Sequence, residues 1–327
     1  MPKQRIEYID VAKGLLIIMM VIAHIWQSGY VNIFIYNFHM SAFFIISGML
    51  LNYSKTLQKS YFQIVKSRIF TIGIPFCFFE VCGCIMYYIR YGFHQNIKGF
   101  IYNTLHLDFN NGVNWFLFTI FFGELIFMAL LKFCKKDLLI ISAASVSLIV
   151  ALITPLFVSD KYVIVAVRML LCIALLAGGY YLNKYLQTKN VFTIILSFCV
   201  LLVLTICKVR VDVASLSFTN PLLFVLSSLC GVYLVLQTGK LLCKLPFINN
   251  IIKFFGENTL IILGTHNLLY VIIGNALGIS DFAQTPLLLG LLLFCIVILL
   301  EVPIIYLLNR FAPFLVGKKI RKKQNTN

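Results

Sequence analysis

DVAKGLLIIMMVIAHIWQSGYVNIFIYNFHMSAFFIISG, residues Asp10 to Gly48, is the stretch that decides how this chain reads. Two apolar runs meet at a short polar turn, and Asp10, Lys13, His24 and His39 are set among them. A charged side chain at mid-bilayer depth costs roughly 2.5–3.5 kcal/mol on insertion scales, so an ionisable residue inside a span is a functional candidate by default. Lys13 and His24 stand eleven positions apart on one expected helix. That spacing separates them by about 16 Å along the axis, half of a hydrocarbon core of about 30 Å. One helix then carries a cation near one face of the membrane and an imidazole toward the other. The layout suits two substrates arriving from opposite sides.

The rest of the chain fits a membrane setting. Of 327 residues, 61% are hydrophobic and only 12% charged, and the mean hydropathy is +0.96. Soluble domains carry about twice that charged fraction. The expected class is all-α integral membrane, multi-pass in the cell (plasma or inner) membrane. Ten apolar runs of roughly span length occur at about 11–28, 33–52, 69–89, 113–132, 138–157, 162–182, 191–207, 219–236, 258–278 and 286–309. They imply about ten transmembrane helices in a single domain over 1–327, with a basic tail from about 311 and no cleavable signal. Loops on one side hold most of the lysines and arginines, from Lys3, Arg5 and Lys13 to the tail; the other side holds few, offset by Asp108, Asp160, Asp212 and Asp281. The positive-inside rule puts both termini in the cytoplasm. The formal charge of +16 is then a matter of topology and of anionic lipid, not of nucleic acid. Ten cysteines without CxxC spacing read as free thiols, and no metal site is expected. Oligomerisation is left open.

Counting residues from the loops gives each polar group a depth. His24 and His39 fall at one level near the outer side, Asn114 and Trp115 open the fourth span there, and Arg168 lies two turns into the sixth. Asp10, Lys13 and Arg68 sit at the inner end, with Glu80, Glu124, His266 and Glu301 near mid-depth. Polar groups at every level suggest a polar cavity through the bundle. Each also has a structural reading: helix–helix hydrogen bonding for the histidines, an ion pair for Glu124 with Arg168, snorkelling for Lys13 and Arg68, close helix packing for Ser47-Gly48, an aromatic belt for Trp115. The outer connection 90–112, with His94, His106 and Asp108, is long enough to cover a site. The segment 237–257 suits a short interfacial helix around Leu245-Pro246-Phe247.

These residues resemble the membrane acyltransferase 3 family, and within it the fucose 4-O-acetylase-like branch. The run Arg5 to Gly14 resembles the family's opening, and Lys13, ten residues and His24 resembles its basic-x10-His first helix, with Lys where most members have Arg. Phe38 to Gly48 is similar to the family's FHMPLFFFISG run, with Ser41 in place of the Pro. Arg68 with Pro75, Asn114-Trp115-Phe116-Leu117, and Gly256 to Leu260 followed by His266 resemble later motifs. The resemblance implies an acyltransferase taking an acetyl group from cytoplasmic acetyl-CoA to a hydroxyl of a glycan or lipid-linked sugar near the outer face. Some relatives carry a fused SGNH domain, and none is expected here.

Acyl transfer from a thioester needs a base, charge stabilisation and orientation of both substrates. His24 is the candidate general base, or else a covalent acyl carrier. His39 would orient it or donate to the oxyanion. Lys13 and Arg68 would meet the CoA phosphates, with Asp10 holding Lys13. Trp115 would stack on a sugar, and Asn114, Glu124, Arg168 and His266 complete the acceptor-side candidates. The alternative is a transporter or flippase of a polar or lipid-linked substrate, which intramembrane charges and ten helices suit equally well and composition alone would favour. The lack of inverted-repeat similarity and the basic-x10-His helix count against it. A structural subunit of a polysaccharide-synthesis complex is a third reading.

Overall fold

The computed structural model describes residues 6–91, 97–109, 111–279 and 281–319, so His94 and the tail from 320 lie outside it. It is an all-α integral membrane protein. Among the described residues, nine helical segments are long and apolar enough to cross a membrane. The seventh apolar run forms a helix of 16 residues, Val191–Ile206. At about 24 Å it is shorter than a typical hydrocarbon core, so nine full-length spans and one short helix stand where ten spans were expected.

The first helix, α1 (Glu7–Ile25), is unbroken. The second span is not. It divides into α2 (Gly29–Tyr36) and α3 (His39–Asn52) at Asn37-Phe38, where Phe38 leaves helical geometry (φ −147°, ψ −19°). His39 therefore heads a new helix inside the bundle. The third span starts eight residues before its apolar run, as α4 (Tyr61–Arg68). A capping box explains the early start: Ser60 Oγ accepts from the Gln63 amide at 3.3 Å, and Gln63 Oε1 accepts from the Ser60 amide at 3.2 Å, which satisfies two orphan donors at once. A π-turn at Ile69–Gly73 then leads into α5 (Ile74–Tyr91). Wide turns of this kind often mark functional positions, and this one follows Arg68 directly. The remaining helices are α6 (Ile97–Leu105), α7 (Asn114–Phe133), α8 (Asp137–Ile153), α9 (Lys161–Gln187), α10 (Val191–Ile206), α11 (Pro221–Leu242), α12 (Pro246–Glu257), α13 (Thr259–Ala276) and α14 (Leu287–Phe311). The segment 237–257 thus supplies α12, and the outer connection supplies α6.

One piece of strand structure interrupts this pattern among the described residues. Val211-Asp212 pairs antiparallel with Ser217-Phe218, forming a hairpin between α10 and α11. Val211, Val213 and Leu216 are buried, so the hairpin's apolar side is packed into the bundle.

Two backbone crossings fix the helices that carry the polar groups. A Cβ at Gly48 on α3 would fall 2.0 Å from the Leu176 carbonyl oxygen of α9, and one at Gly179 would fall 1.8 Å from that of Ile45. A Cβ at Gly14 on α1 would likewise meet Ile252 O of α12 at 2.0 Å, and one at Gly256 would meet Asp10 O at 1.7 Å. Small residues let membrane helices approach this closely, and dispersion and weak polar contacts then hold them. The neighbouring Gly178 has nothing within 4 Å of its would-be Cβ. Gly179→Leu is therefore expected to destabilise the detergent-solubilised protein by roughly 1–3 kcal/mol or more through overpacking, lowering its thermal midpoint, whereas Gly178→Ala leaves the midpoint unchanged or slightly raised.

Candidate active site

Three cavities follow one another through the bundle, and each shares lining residues with the next. By charge bias, the end carrying Lys13 and Arg68 is inner. The inner cavity, of about 360 Å³, is lined by Lys13, Ser47, Arg68, Thr71, Glu124 and Thr259 among apolar side chains. Met40, Phe116 and Leu263 line both it and a central chamber of about 160 Å³. That chamber holds His24, Tyr36, His39 and Asp212. Trp115 and Ala214 line both the chamber and an outer cavity of about 430 Å³, where Asn103, Asp108, Lys161 and Arg168 also lie.

In the inner cavity each cation holds its own carboxylate. Lys13 Nζ is 2.7 Å from Asp10 Oδ1, and Arg68 Nε is 2.8 Å from Glu124 Oε2. Glu124 is thus paired with Arg68, not with Arg168, and belongs to the inner cavity instead of the acceptor side. The reason is geometric: α4 runs up to Arg68 against α7, which brings the guanidinium alongside Glu124.

In the chamber, His39 sits at the start of α3, its Nδ1 2.9 Å from the Ile35 carbonyl oxygen. A carbonyl only accepts, so Nδ1 carries the proton and the neutral ring leaves Nε2 as an acceptor. Neutral His39 therefore has no proton on Nε2 to donate to an oxyanion. His24 is reached differently from what the depth count implied. Its ring centroid lies 5.1 Å from that of His266, edge-on, and 6.2 Å from that of Tyr270. Tyr36 stands between His24 and His39, at 6.4 and 5.0 Å. His266 is accordingly beside His24, on the same level of the bundle. It is fully buried behind His24, with Nδ1 2.7 Å from the Ile262 carbonyl oxygen. α13 places it there, and the preceding residue, Thr265, ties α13 to α14 by donating to Glu301 at 2.8 Å.

The outer candidates separate. Asn114 is fully buried and does not line any of the three cavities. Its Nδ2 donates to Glu80 Oε2 at 2.6 Å and to the Phe76 carbonyl at 3.3 Å; the amide thus offsets a buried carboxylate between α7 and α5. Trp115 lies at the neck. The Arg168 guanidinium carbon sits 5.0 Å from the Trp115 ring centre, and Nη1 donates to the Ala214 carbonyl. Arg168 thus ties α9 to the hairpin turn. At the outer cavity's rim Lys161 pairs with Asp108 at 2.7 Å, so the described part of the outer connection does border a cavity. Asp212 and Tyr36 were not among the sequence candidates. Val211 and Val213 are buried while Asp212 alternates to the opposite face of the hairpin, and nothing in the sequence marks that face as lining a chamber.

Across residues 6–306 the chain matches the family model described as an acyltransferase domain. The chain belongs to the acyltransferase 3 family. No curated protein and no solved structure matches it. The match runs from the start of α1 into α14 and so takes in all three cavities.

The neck of this membrane acyltransferase can be followed optically. Of its two tryptophans, Trp115 becomes the sole emitter in a Trp26→Phe background. Arg168→Met removes the cation over its ring and the tie to Ala214, contacts worth about 1–2 kcal/mol each when desolvated. The expected result is a shifted Trp115 emission, stronger quenching by iodide and a lower thermal midpoint.

Proposed function

We propose that this acyltransferase moves an acetyl group from acetyl-CoA, taken up on the cytoplasmic side, to a hydroxyl of a cell-surface or lipid-linked glycan at the outer face of the plasma or inner membrane. The observation that supports this reading is the placement of the His24–His39 chamber between two cavities, each adjoining it through shared lining residues. A donor and an acceptor entering from opposite ends meet at that chamber.

His24 is the general base. It lines the chamber, its ring beside those of Tyr36 and His266. It takes the acceptor hydroxyl proton as the oxygen attacks the acyl carbon, and a positioned base of this kind contributes about 10²–10⁴-fold. His39, with Nε2 as an acceptor, orients a hydroxyl. The charge that develops on the tetrahedral oxygen lies near the start of α3, where the positive end of a helix dipole favours it. Lys13 and Arg68 meet the anionic groups of the donor, which compete there with Asp10 and Glu124. Trp115 offers a face for a sugar ring at the neck. The acetyl group, the donor and the fucose 4-O-acetylase-like acceptor chemistry rest on the motif resemblance.

The test is transfer of label from radiolabelled acetyl-CoA in inverted vesicles. Wild type is expected to label endogenous glycan. His24→Ala, at equal abundance, is expected to lose about 10²-fold or more, and Lys13→Ala to raise the apparent KM for acetyl-CoA. Full activity in His24→Ala rejects the base assignment, and a wild type that does not consume acetyl-CoA turns the reading toward transport.

A further inference from the structure

Resting on that reading, we propose that Asp212 is the charge-balancing carboxylate of the chamber, brought in by the 211–218 hairpin to stabilise His24 while it carries the proton during transfer. Of the side chains lining the chamber, Asp212 is the one carboxylate among the described residues. It comes from a loop, whereas His24, Tyr36 and His39 come from α1, α2 and α3.

The chemistry requires such a group. As the acceptor oxygen bonds to the acyl carbon, its proton passes to a nitrogen of His24. The thioester C–S bond then breaks, and His24 returns that proton to the departing thiolate, leaving the free thiol of the donor and the O-acyl product. Between these events His24 is an imidazolium in a small, mostly apolar space. An uncompensated charge there is costly. A carboxylate lining the same chamber lowers that cost without itself taking the proton. His266 and Tyr270, the rings behind His24, carry no negative charge when neutral. His39 and Tyr36 share the chamber with Asp212, Ser215 bonds to it, and Arg168 holds the Ala214 carbonyl two residues on.

The hairpin holds the carboxylate still. Asp212 Oδ1 accepts from the Ala214 amide at 2.9 Å and from the Ser215 amide at 3.4 Å; Oδ2 accepts from Ser215 Oγ at 2.7 Å. Arg168 anchors the Ala214 carbonyl, and Phe218 stacks on Phe224 with ring centres 4.4 Å apart. These turn bonds also make a purely structural role separable. An Asn at this position keeps an Oδ1 acceptor for both amides and offers an N–H to Ser215 Oγ, so the turn persists while the charge is lost.

The experiment compares wild type, Asp212→Asn, Asp212→Glu, His24→Ala and the Asp212→Asn/His24→Ala double variant, as full-length protein in inverted vesicles. The readout is label transferred from radiolabelled acetyl-CoA to endogenous glycan, with thermal midpoints measured in parallel. Asp212→Asn is expected to lower kcat by about 10²-fold, less than the roughly 10⁴-fold lost when a carboxylate hydrogen-bonded to its catalytic histidine is removed. KM for acetyl-CoA and the thermal midpoint should stay at wild-type values. Asp212→Glu should recover part of the rate, and Asp212→Asn should cost nothing further in the His24→Ala background. Asp212→Asn at wild-type kcat overturns the proposal, as do equal rates in the Asn and Glu variants or an undiminished loss in the His24→Ala background. A wild type that transfers no label overturns the acyltransfer reading as well, so the two failures are distinct.

Discussion

Backbone-to-backbone contact between helices is the constraint on which the rest of this molecule depends. In a bilayer, apolar side chains gain little by leaving lipid for protein, so helix association relies on close packing and polar contacts. Here α1 lies against α12, and α3 against α9, at distances that no side chain at Gly14, Gly48, Gly179 or Gly256 would permit. The four glycines therefore set where α1 and α3 stand. Lys13 and His24 ride on α1, and His39 and Ser47 on α3. A chamber of about 160 Å³ has little tolerance for a shift of either helix, because the methionine, leucine and phenylalanine at its inner neck would close or part with it.

Charge follows a consistent rule through the bundle. Lys13 has Asp10, Arg68 has Glu124, and Lys253 has Glu7 at 2.9 Å. Glu80 accepts from Asn114 and Glu301 from Thr265. Breaking a buried pair by removing one partner typically costs about 3–5 kcal/mol, far more than the pair itself contributes. An anionic substrate that takes Lys13 or Arg68 from its carboxylate must therefore leave that carboxylate with water or another donor. The inner cavity meets this need: Lys13 and Arg68 keep about a fifth of their side-chain surface exposed (21% and 20%), so exchange of partners there avoids full desolvation.

Much of this was legible in the residues. Run lengths and charge bias identify a polytopic membrane protein, and the spacing of Lys13 from His24 places a cation and an imidazole at different levels of one helix. The joint level of His24 and His39 follows from counting, since both chains of residues start from the same outer turn. Counting failed where the backbone departs from a straight helix or where the partner is remote. The break at Asn37-Phe38 has no Pro or Gly to announce it. The early start of α4 was announced, by Ser60 and Gln63, but in a stretch too polar to read as a span. Counting along separate helices also set His266 and His24 at different levels, whereas their rings meet at 5.1 Å; relative helix tilt is set by packing and cannot be counted. Glu124 was matched to Arg168 for want of any local sign that α4 would carry Arg68 to it. Asp212 was hidden for another reason: a loop residue's depth cannot be counted at all, and the hairpin turns inward only because Val211, Val213 and Leu216 need burial.

A string of small cavities also answers a problem that any two-sided membrane reaction faces. A thioester and a hydroxyl must meet, yet a continuous wet path between their compartments would leak ions and expose the acyl group to water. The two necks differ in a way that bears on this. Met40, Phe116 and Leu263 form an apolar constriction toward the inner cavity, which resists water and ions but can pass a slender, weakly polar arm. The outer neck is made of Trp115 and Ala214, both engaged by Arg168, so widening it for a polar acceptor means exchanging one set of polar contacts for another. With a donor entering from the inner end and an acceptor from the outer end, as proposed, the apolar barrier would lie on the donor side and the polar, exchangeable barrier on the acceptor side. That order would keep the reactive carbonyl dry until the acceptor fills the chamber from its own end.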